Sequence, residues 1–341
     1  MDRRKIIASL YAVLAAVFYA INMPASKVLL NKVEPTLMAS FLYFGAGVGI
    51  GIIYFLNNSK SKENEKLTRN DLPYTIGMIV LDIIAPILLM FGLTNTTSAN
   101  ASLLNNFEIV ATSIIALFIF KEAITKWLWI AIFLITISSM LLSFENLSSL
   151  KFSWGSIFVL LAAVCWGFEN NCTRNISSKN TYEIVMLKGI FSGLGSFIIA
   201  MIMGESVPSV KYIMIVLTLG FVAYGLSIFF YIRAQNELGA AKTSAYYAIA
   251  PFVGTFLSFV FLKEILTVNY IIALIIMIMG SSIIVIDTMM VENANMHTHT
   301  FVHTHDGSTH SHIIKHSHEH SHLGKDIKHK HFHSRKTLVH Q

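Results

Sequence analysis

Apolar runs of about 20 residues recur along the 341-residue chain, each as long as a helix must be to cross a hydrocarbon layer ~30 Å thick. Within lipid the backbone finds no water, so such runs must satisfy their own N–H and C=O groups, as a helix does. Length alone would suggest two or three soluble domains. A hydrophobic content of 54% with 13% charged residues and a mean hydropathy of +0.62 excludes that reading. The first run carries Asn22, Pro24 and Lys27 and lacks a small-x-small exit, so it reads as a span and not as a cleaved signal peptide. The net charge of +6 belongs to loops and tail, not to a nucleic-acid surface.

Helix breakers and charges place spans near 6–30, 35–56, 72–93, 97–120, 124–144, 153–174, 182–203, 211–233, 238–261 and 265–287. The expected fold is an all-α integral membrane protein with ten transmembrane helices. Only "NNSKSKENEKLTRND" (57–71) is a long connection. From about Met289 the chain turns polar and loses apolar periodicity, which predicts disorder.

The two halves resemble each other. "VLAAVFYAINMPASKVL" (13–29) aligns with "LLAAVCWGFENNCTRNI" (160–176), placing Asn22 on Glu169 and Lys27 on Arg174. "FKEAIT" (120–125) aligns with "LKEILT" (262–267). The offsets, 147 and 142 residues, fit one duplication with a small deletion. Five spans per half is an odd number, so the second half enters the membrane inverted, an architecture of many secondary transporters. The expected units are a first repeat (1–146), a second repeat (147–288) and a disordered His-rich tail (289–341).

Charge supports one orientation. A cytoplasmic N-terminus places Arg3, Arg4, Lys5, Lys60, Lys62, Lys66, Arg69, Lys121, Lys126, Arg174, Lys179 and Arg233 inside. Only Lys32, Lys151, Lys211 and Lys263 fall outside. The positive-inside rule then predicts a multi-pass plasma (inner) membrane protein with both termini cytoplasmic.

The segments "LLNNFEIVATSIIALFIFKE" (103–122), "CWGFENNCTRNIS" (165–177) and "ELGAAKTSAYYAIAPFVGTFLSFVFLKE" (237–264) resemble the EamA family of the drug/metabolite transporter superfamily. The resemblance covers roughly 5–287. It implies a transporter and no enzyme activity. It leaves the substrate open, since that superfamily exports amino acids, metabolites, nucleotide sugars and drugs.

Charges at membrane depth cost ~2.5–3.5 kcal/mol on insertion scales unless sheltered, which makes them guides to function. Asp82, Glu108, Glu169 and Lys188 lie well inside spans, whereas Lys27, Arg174 and Arg233 lie near span ends and read as headgroup anchors. Asn105, Glu108 and Thr112 stand at i, i+3 and i+7 and form a polar stripe on a continuous helix, widened by Asn106. Its carboxylate would bind a cationic substrate or exchange a proton; alternatively it ties helices together through asparagines. The repeat places Ala250, beside Pro251, at the Glu108 position. Cys165, Glu169 and Cys172 also share a face and carry soft-metal chemistry, although one helix cannot close around an ion. The bland alternative treats the cysteines as packing fillers. Asp82 lies one turn before Pro86, and Lys188 invites neutralisation by Glu169 or Glu183. Trp166, Tyr224, Tyr231, Tyr246 and Tyr247 would line an apolar site or pack helices. The substrate or proton-binding candidates are therefore Glu108, Glu169, Asn105, Asn22, Asp82, Lys188 and Tyr246. Gly45 with Gly49, Gly47 with Gly51, and Ser192 with Ser196 have the spacing of close helix contacts.

All 14 histidines lie between His297 and His340. His297, His299, His303, His305, His310, His312, His316, His318, His320 and His322 form the densest part and are expected to chelate Zn²⁺, Ni²⁺, Co²⁺ or Cu²⁺. No other cofactor is expected. The expected partners are the lipid bilayer, a small-molecule substrate and a second copy in a homodimer. Nucleic acid is not expected, nor is ATP, because no Walker motif is present. The preferred reading is a gradient-driven exporter of a small organic metabolite. Alternatives are a divalent-metal exporter whose tail collects ions, and a non-transporting membrane metal sensor.

Topology is directly testable. Reporters placed within 57–71 and after Val291 should both give cytoplasmic signals, and one within 146–151 an external signal. An external signal from the tail would overturn the argument from odd-numbered repeats.

Overall fold

The computed structural model describes residues 3–56, 67–121, 124–146, 151–176, 179–238, 243, 246–265, 267–305 and 308–317. The helices are α1 (Arg3–Ala20), α2 (Asn22–Leu29), α3 (Pro35–Leu56), α4 (Leu72–Asn95), α5 (Ser98–Leu104), α6 (Phe107–Phe120) and α7 (Lys126–Ser143). They continue with α8 (Trp154–Ile176), α9 (Thr181–Met203), α10 (Val210–Gly220), α11 (Ser227–Leu238), α12 (Ala250–Leu262) and α13 (Val268–Asn295). Short strands β1 (Phe144–Asn146) and β2 (Lys151–Phe152) pair between α7 and α8. Among the described residues, nine helical segments are long and apolar enough to cross a membrane. The ninth expected span, 238–261, is represented by α12, a 13-residue apolar helix. Residues 239–242 and 244–245 of that span lie outside the described residues.

Three expected spans are interrupted where the sequence reading placed unbroken helix. The first breaks at Ile21, between α1 and α2. Pro24 has no N–H to give Ala20, and its ring crowds that carbonyl. The fourth breaks at Asn105 and Asn106, two residues whose side chains compete for backbone bonds. The eighth carries a π-helical turn, Phe221–Leu226, between α10 and α11. Pro86, by contrast, is accommodated inside α4.

The helix ends repeat at the spacing found in the sequence. Lys121 ends α6 with φ of 57° and Lys263 ends α12 with φ of 53°; they are the only non-glycine residues with positive φ among those described. Thr125 then caps α7 by accepting from Leu128 N at 3.0 Å, and Thr267 accepts from Tyr270 N at 3.2 Å. Two carboxylates cap helices distant in sequence, each on a pair of unpaired N–H groups. Glu264 accepts from Ser98 and Ala99 N at 2.7 and 2.8 Å, and Glu205 accepts from Thr36 and Leu37 N at 3.0 and 2.8 Å.

In the membrane unit α4 packs on α8 and α1 on α11, while α3 packs on α9. The glycines of α3 make two seams. Gly47 meets the α9 backbone at Gly189 and Ile190, and Gly45 meets the Leu217 carbonyl of α10. A Cβ at Gly47 would stand 2.7 Å from Ile190 N, closer than real contacts allow. At Gly51 the nearest atom would be Met186 Sδ at 3.5 Å, an ordinary contact.

The tail segment differs from the expected disorder. Met296–His305 (β3) and Ser308–Ser317 (β4) pair as an antiparallel hairpin. Its sequence alternates histidine with β-branched threonine, and Asp-Gly, the pair favoured in two-residue hairpin loops, stands between the strands. Residues 289–295 of the expected tail continue α13, and 306–307 and 318–341, with His318, His320 and His322, lie outside the described residues.

The glycine seam gives opposite signs for one substitution. Gly189→Ala should lower stability by ~1–3 kcal/mol through overpacking against Gly47. Gly51→Ala should gain up to about 1 kcal/mol of helix propensity. Thermal unfolding in detergent reads both; equal stability of the two variants would contradict the seam.

Candidate functional site

Lys188, two turns into α9, reaches the carboxylates of two other helices. Its Nζ stands 3.0 Å from Asp82 Oδ2 on α4 and 2.9 Å from Glu169 Oε1 on α8. Asp82 is 0% exposed and Glu169 2%. A lone buried charge costs several kcal/mol, so a shared ammonium is what makes two carboxylates tolerable here. Tyr43 donates to Asp82 Oδ1 at 2.8 Å, and Thr173 donates to Glu169 Oε1. Asp82 Oδ2 has no hydrogen bond of its own; its partner is the facing charge. Glu169 and Asp82, not Glu183, therefore neutralise Lys188. Glu183 instead accepts from Leu67 N at 3.5 Å.

Glu108 opens α6 and is only half-buried. Its Oε1 accepts from Asn170 Nδ2 at 2.6 Å, one residue beyond Glu169 on α8. Asn170 also reaches Thr112 Oγ1 at 3.3 Å, and Asn171 Nδ2 donates to Thr112 O at 3.1 Å. Gly167 allows this approach, because a Cβ there would lie 2.6 Å from Ala111 Cβ. The expected stripe divides at the helix break. Glu108 and Thr112 turn to α8, whereas Asn105 donates to Tyr19 Oη on α1 at 3.2 Å. Asn105–Asn106 thus interrupts the first repeat much as Ala250 and Pro251 open α12 in the second.

Between these groups runs a set of rings. Asn22 Nδ2 donates to Tyr224 Oη at 3.1 Å, and Ser26 holds Asn22 Oδ1 at 3.0 Å. Tyr224, in the π turn, lies 5.4 Å from the Tyr43 ring and 5.9 Å from Tyr19; Tyr19 lies 5.9 Å from Tyr247. Tyr247 thus joins the ring cluster, while the expected Tyr246 is 40% exposed and has no ring contact in it. Tyr19 and Tyr43 were missed in the sequence. Tyr19, Asn22 and Ser26 stand at i, i+3 and i+7, a spacing that was available as a signal.

A small cavity opens beside this cluster, lined by Tyr19, Met23, Ser102, Asn105, Pro251 and Gly254 among others. Ser102 Oγ and Asn105 Oδ1 line it buried and without hydrogen-bond partners, and Asn106 Nδ2, next in sequence, is also buried and unpartnered. Unsatisfied buried groups on a cavity fit a water or a polar ligand atom.

Other expectations resolve differently. Cys165 and Cys172 are free, and Glu169 between them is committed to Lys188. Among residues whose side chains are described, no three His, Cys, Asp or Glu groups gather as a metal site. Lys27 does not reach for headgroups; it donates to Thr96 O at 2.7 Å and to Leu93 O, at the C-terminal end of α4. Arg233 stands over the Phe229 ring at 5.2 Å.

Comparison with known proteins agrees with this helical architecture. The model of the EamA-like transporter family matches twice, at residues 6–144 and 153–286. A protein of Methanothermobacter thermautotrophicus described as an uncharacterized transporter is 25% identical over 285 residues, spanning 78% of this chain and 82% of its own. One from Clostridium kluyveri with the same description is 26% identical over 287 residues, 80% of this chain and 91% of its own. A solved crystal structure shares the fold with a TM-score of 0.61, at 15% identity, over 84% of this chain and 98% of its own.

The ion cluster generates a stability prediction. Lys188→Met leaves Asp82 and Glu169 without countercharge and should cost ~3–5 kcal/mol. Adding Asp82→Asn and Glu169→Gln should restore most of the loss. Thermal unfolding of the single and triple variants tests this, and a single variant as stable as the parent would refute the shared-ammonium account.

Proposed function

The chain belongs to the EamA-like transporter family, and on that footing we propose that it is a gradient-driven exporter of a small organic solute. The observation that carries the reading is a charge imbalance inside the bundle. Three carboxylates, Asp82, Glu169 and Glu108, gather with one ammonium, Lys188. Lys188 occupies the first two, and Glu108 is left with the Asn170 amide. An amide cannot neutralise a carboxylate, so Glu108 is the group free to take a proton or to face a cationic solute. Glu169 is less free because its loss would expose Lys188.

The architecture proposed is ten helices in two inverted five-helix repeats (1–146 and 147–288), with the solute held near the midplane between them. Supporting it are the twofold family match, the positive-φ lysines 142 residues apart, and the paired threonine caps. Helix breaks at Asn105–Asn106 and at the start of α12 both border the cavity, as in transporters built from discontinuous helices. Coupling to protons through Glu108, a plasma-membrane location and cytoplasmic termini belong to the same proposal. Nothing among the described residues of the membrane unit favours metal as cargo.

Transport in reconstituted vesicles tests it. Glu108→Gln should reduce solute counterflow at least tenfold and flatten its pH dependence, while folded protein is retained. Truncation after Glu292 removes every histidine and should leave counterflow within about twofold of the parent. Full activity of Glu108→Gln with an unchanged pH profile makes Glu108 a packing group. Metal movement by the intact chain, or no solute movement after truncation, makes the tail part of the mechanism and overturns the reading.

A further inference from the structure

The hairpin in the tail carries an inference independent of transport. Residues two apart on a strand share a face, and directly opposed residues on paired strands share it too. In this register His303 stands opposite His310 and His297 opposite His316, while Phe301 opposes His312 and His299 opposes Ile314. His297, His299, His303 and His305 occupy alternate positions of β3. His310, His312 and His316 occupy the positions of β4 that oppose that same alternate set. Every histidine of the two strands therefore falls on one face. The other face receives Thr298, Thr300, Val302 and Thr304 with their partners Lys315, Ile313, Ser311 and Thr309.

We infer that this face is a metal-binding surface for borderline divalent ions such as Zn²⁺, Ni²⁺, Co²⁺ and Cu²⁺, holding two ions per chain. Directly opposed residues have Cβ atoms about 4.5–5.5 Å apart, a span that two imidazoles can close around one ion at Zn–N distances of about 2.0–2.1 Å. The opposed pairs, 303/310 and 297/316, are separated by six residues of strand, which is about 20 Å at ~3.4 Å per residue. One ion cannot serve both, so each pair nucleates its own site. His305 and His312 occupy positions diagonal to the first pair, and His299 a position diagonal to the second. His305 and His312 lie on opposite sides of the first pair, about 14 Å apart along the strands and too far for one ion to hold both, so each site offers three imidazoles and leaves a position open. Placement distinguishes this surface from a disordered chelator, for which only the number of histidines matters.

The test uses the full chain with His318, His320, His322, His329, His331, His333 and His340 replaced by Ser, so that only the hairpin histidines remain. Equilibrium dialysis against Zn²⁺ at pH 7.5 in detergent should give two ions per chain. His303→Ala with His310→Ala should lower that to one. The deciding variant inserts one serine between Phe301 and Val302, keeping every histidine but shifting His297 and His299 to the opposite face from His316. It should lose at least one ion. A parent that binds any number other than two, a double variant that still binds two, or an insertion variant that still binds two with unchanged affinity overturns the proposal.

Discussion

An ammonium group inside a hydrocarbon layer is tolerable only where countercharge reaches it, and Lys188 draws that countercharge from two other helices at once. The geometry this imposes spreads outward. Holding Glu169 at Lys188 also fixes the rotation of α8 about its axis.

 With Glu169 held at Lys188, the next residue, Asn170, is turned about 100° round the helix and meets Glu108. With Asp82 held, its second oxygen is left to Tyr43, whose ring stacks toward Tyr224 and so toward Asn22. Helices α3, α4, α6 and α8 thereby take their facing from one shared charge.

Backbone irregularity is confined to places where the protein can compensate for it. A bilayer gives freed carbonyls and N–H groups no partner, so breaks are tolerated only inside the bundle or along a cavity. The Asn105–Asn106 break lies on such a cavity, and its buried side-chain atoms remain unpartnered there. The break at Ile21 is followed by Asn22, which engages Tyr224 in the π turn. Three of the interruptions therefore meet around one set of aromatic rings.

The apolar runs made the spans legible, since length and hydropathy respond to the bilayer and little else. Asp82, Glu169 and Lys188 were legible as intramembrane charges, but their association was not. Which carboxylate reaches Lys188 depends on the packing of α4, α8 and α9, and no local pattern encodes that. The stripe through Asn105, Glu108 and Thr112 misled because periodicity assumes an unbroken helix, and two adjacent asparagines ended it. Tyr246 was preferred over Tyr247 because neighbours on a helix differ by 100° and the sequence does not say which faces inward. In the tail, composition suggested disorder, while strict alternation around Asp-Gly carried the hairpin signal.

The α3 seams have a genetic consequence. Every codon change that alters a glycine adds at least a Cβ, and at Gly45, Gly47 and Gly189 that atom would meet backbone, which cannot move to another rotamer. Drift at one of these positions has no small first step, so the seams can change only if a neighbouring helix shifts in the same lineage. Tyr19 and Asn105 on the cavity meet through their side chains instead, where a new rotamer can take up a change of size. A fold of this kind can diversify what it holds while the contact that holds its helices together stays in place.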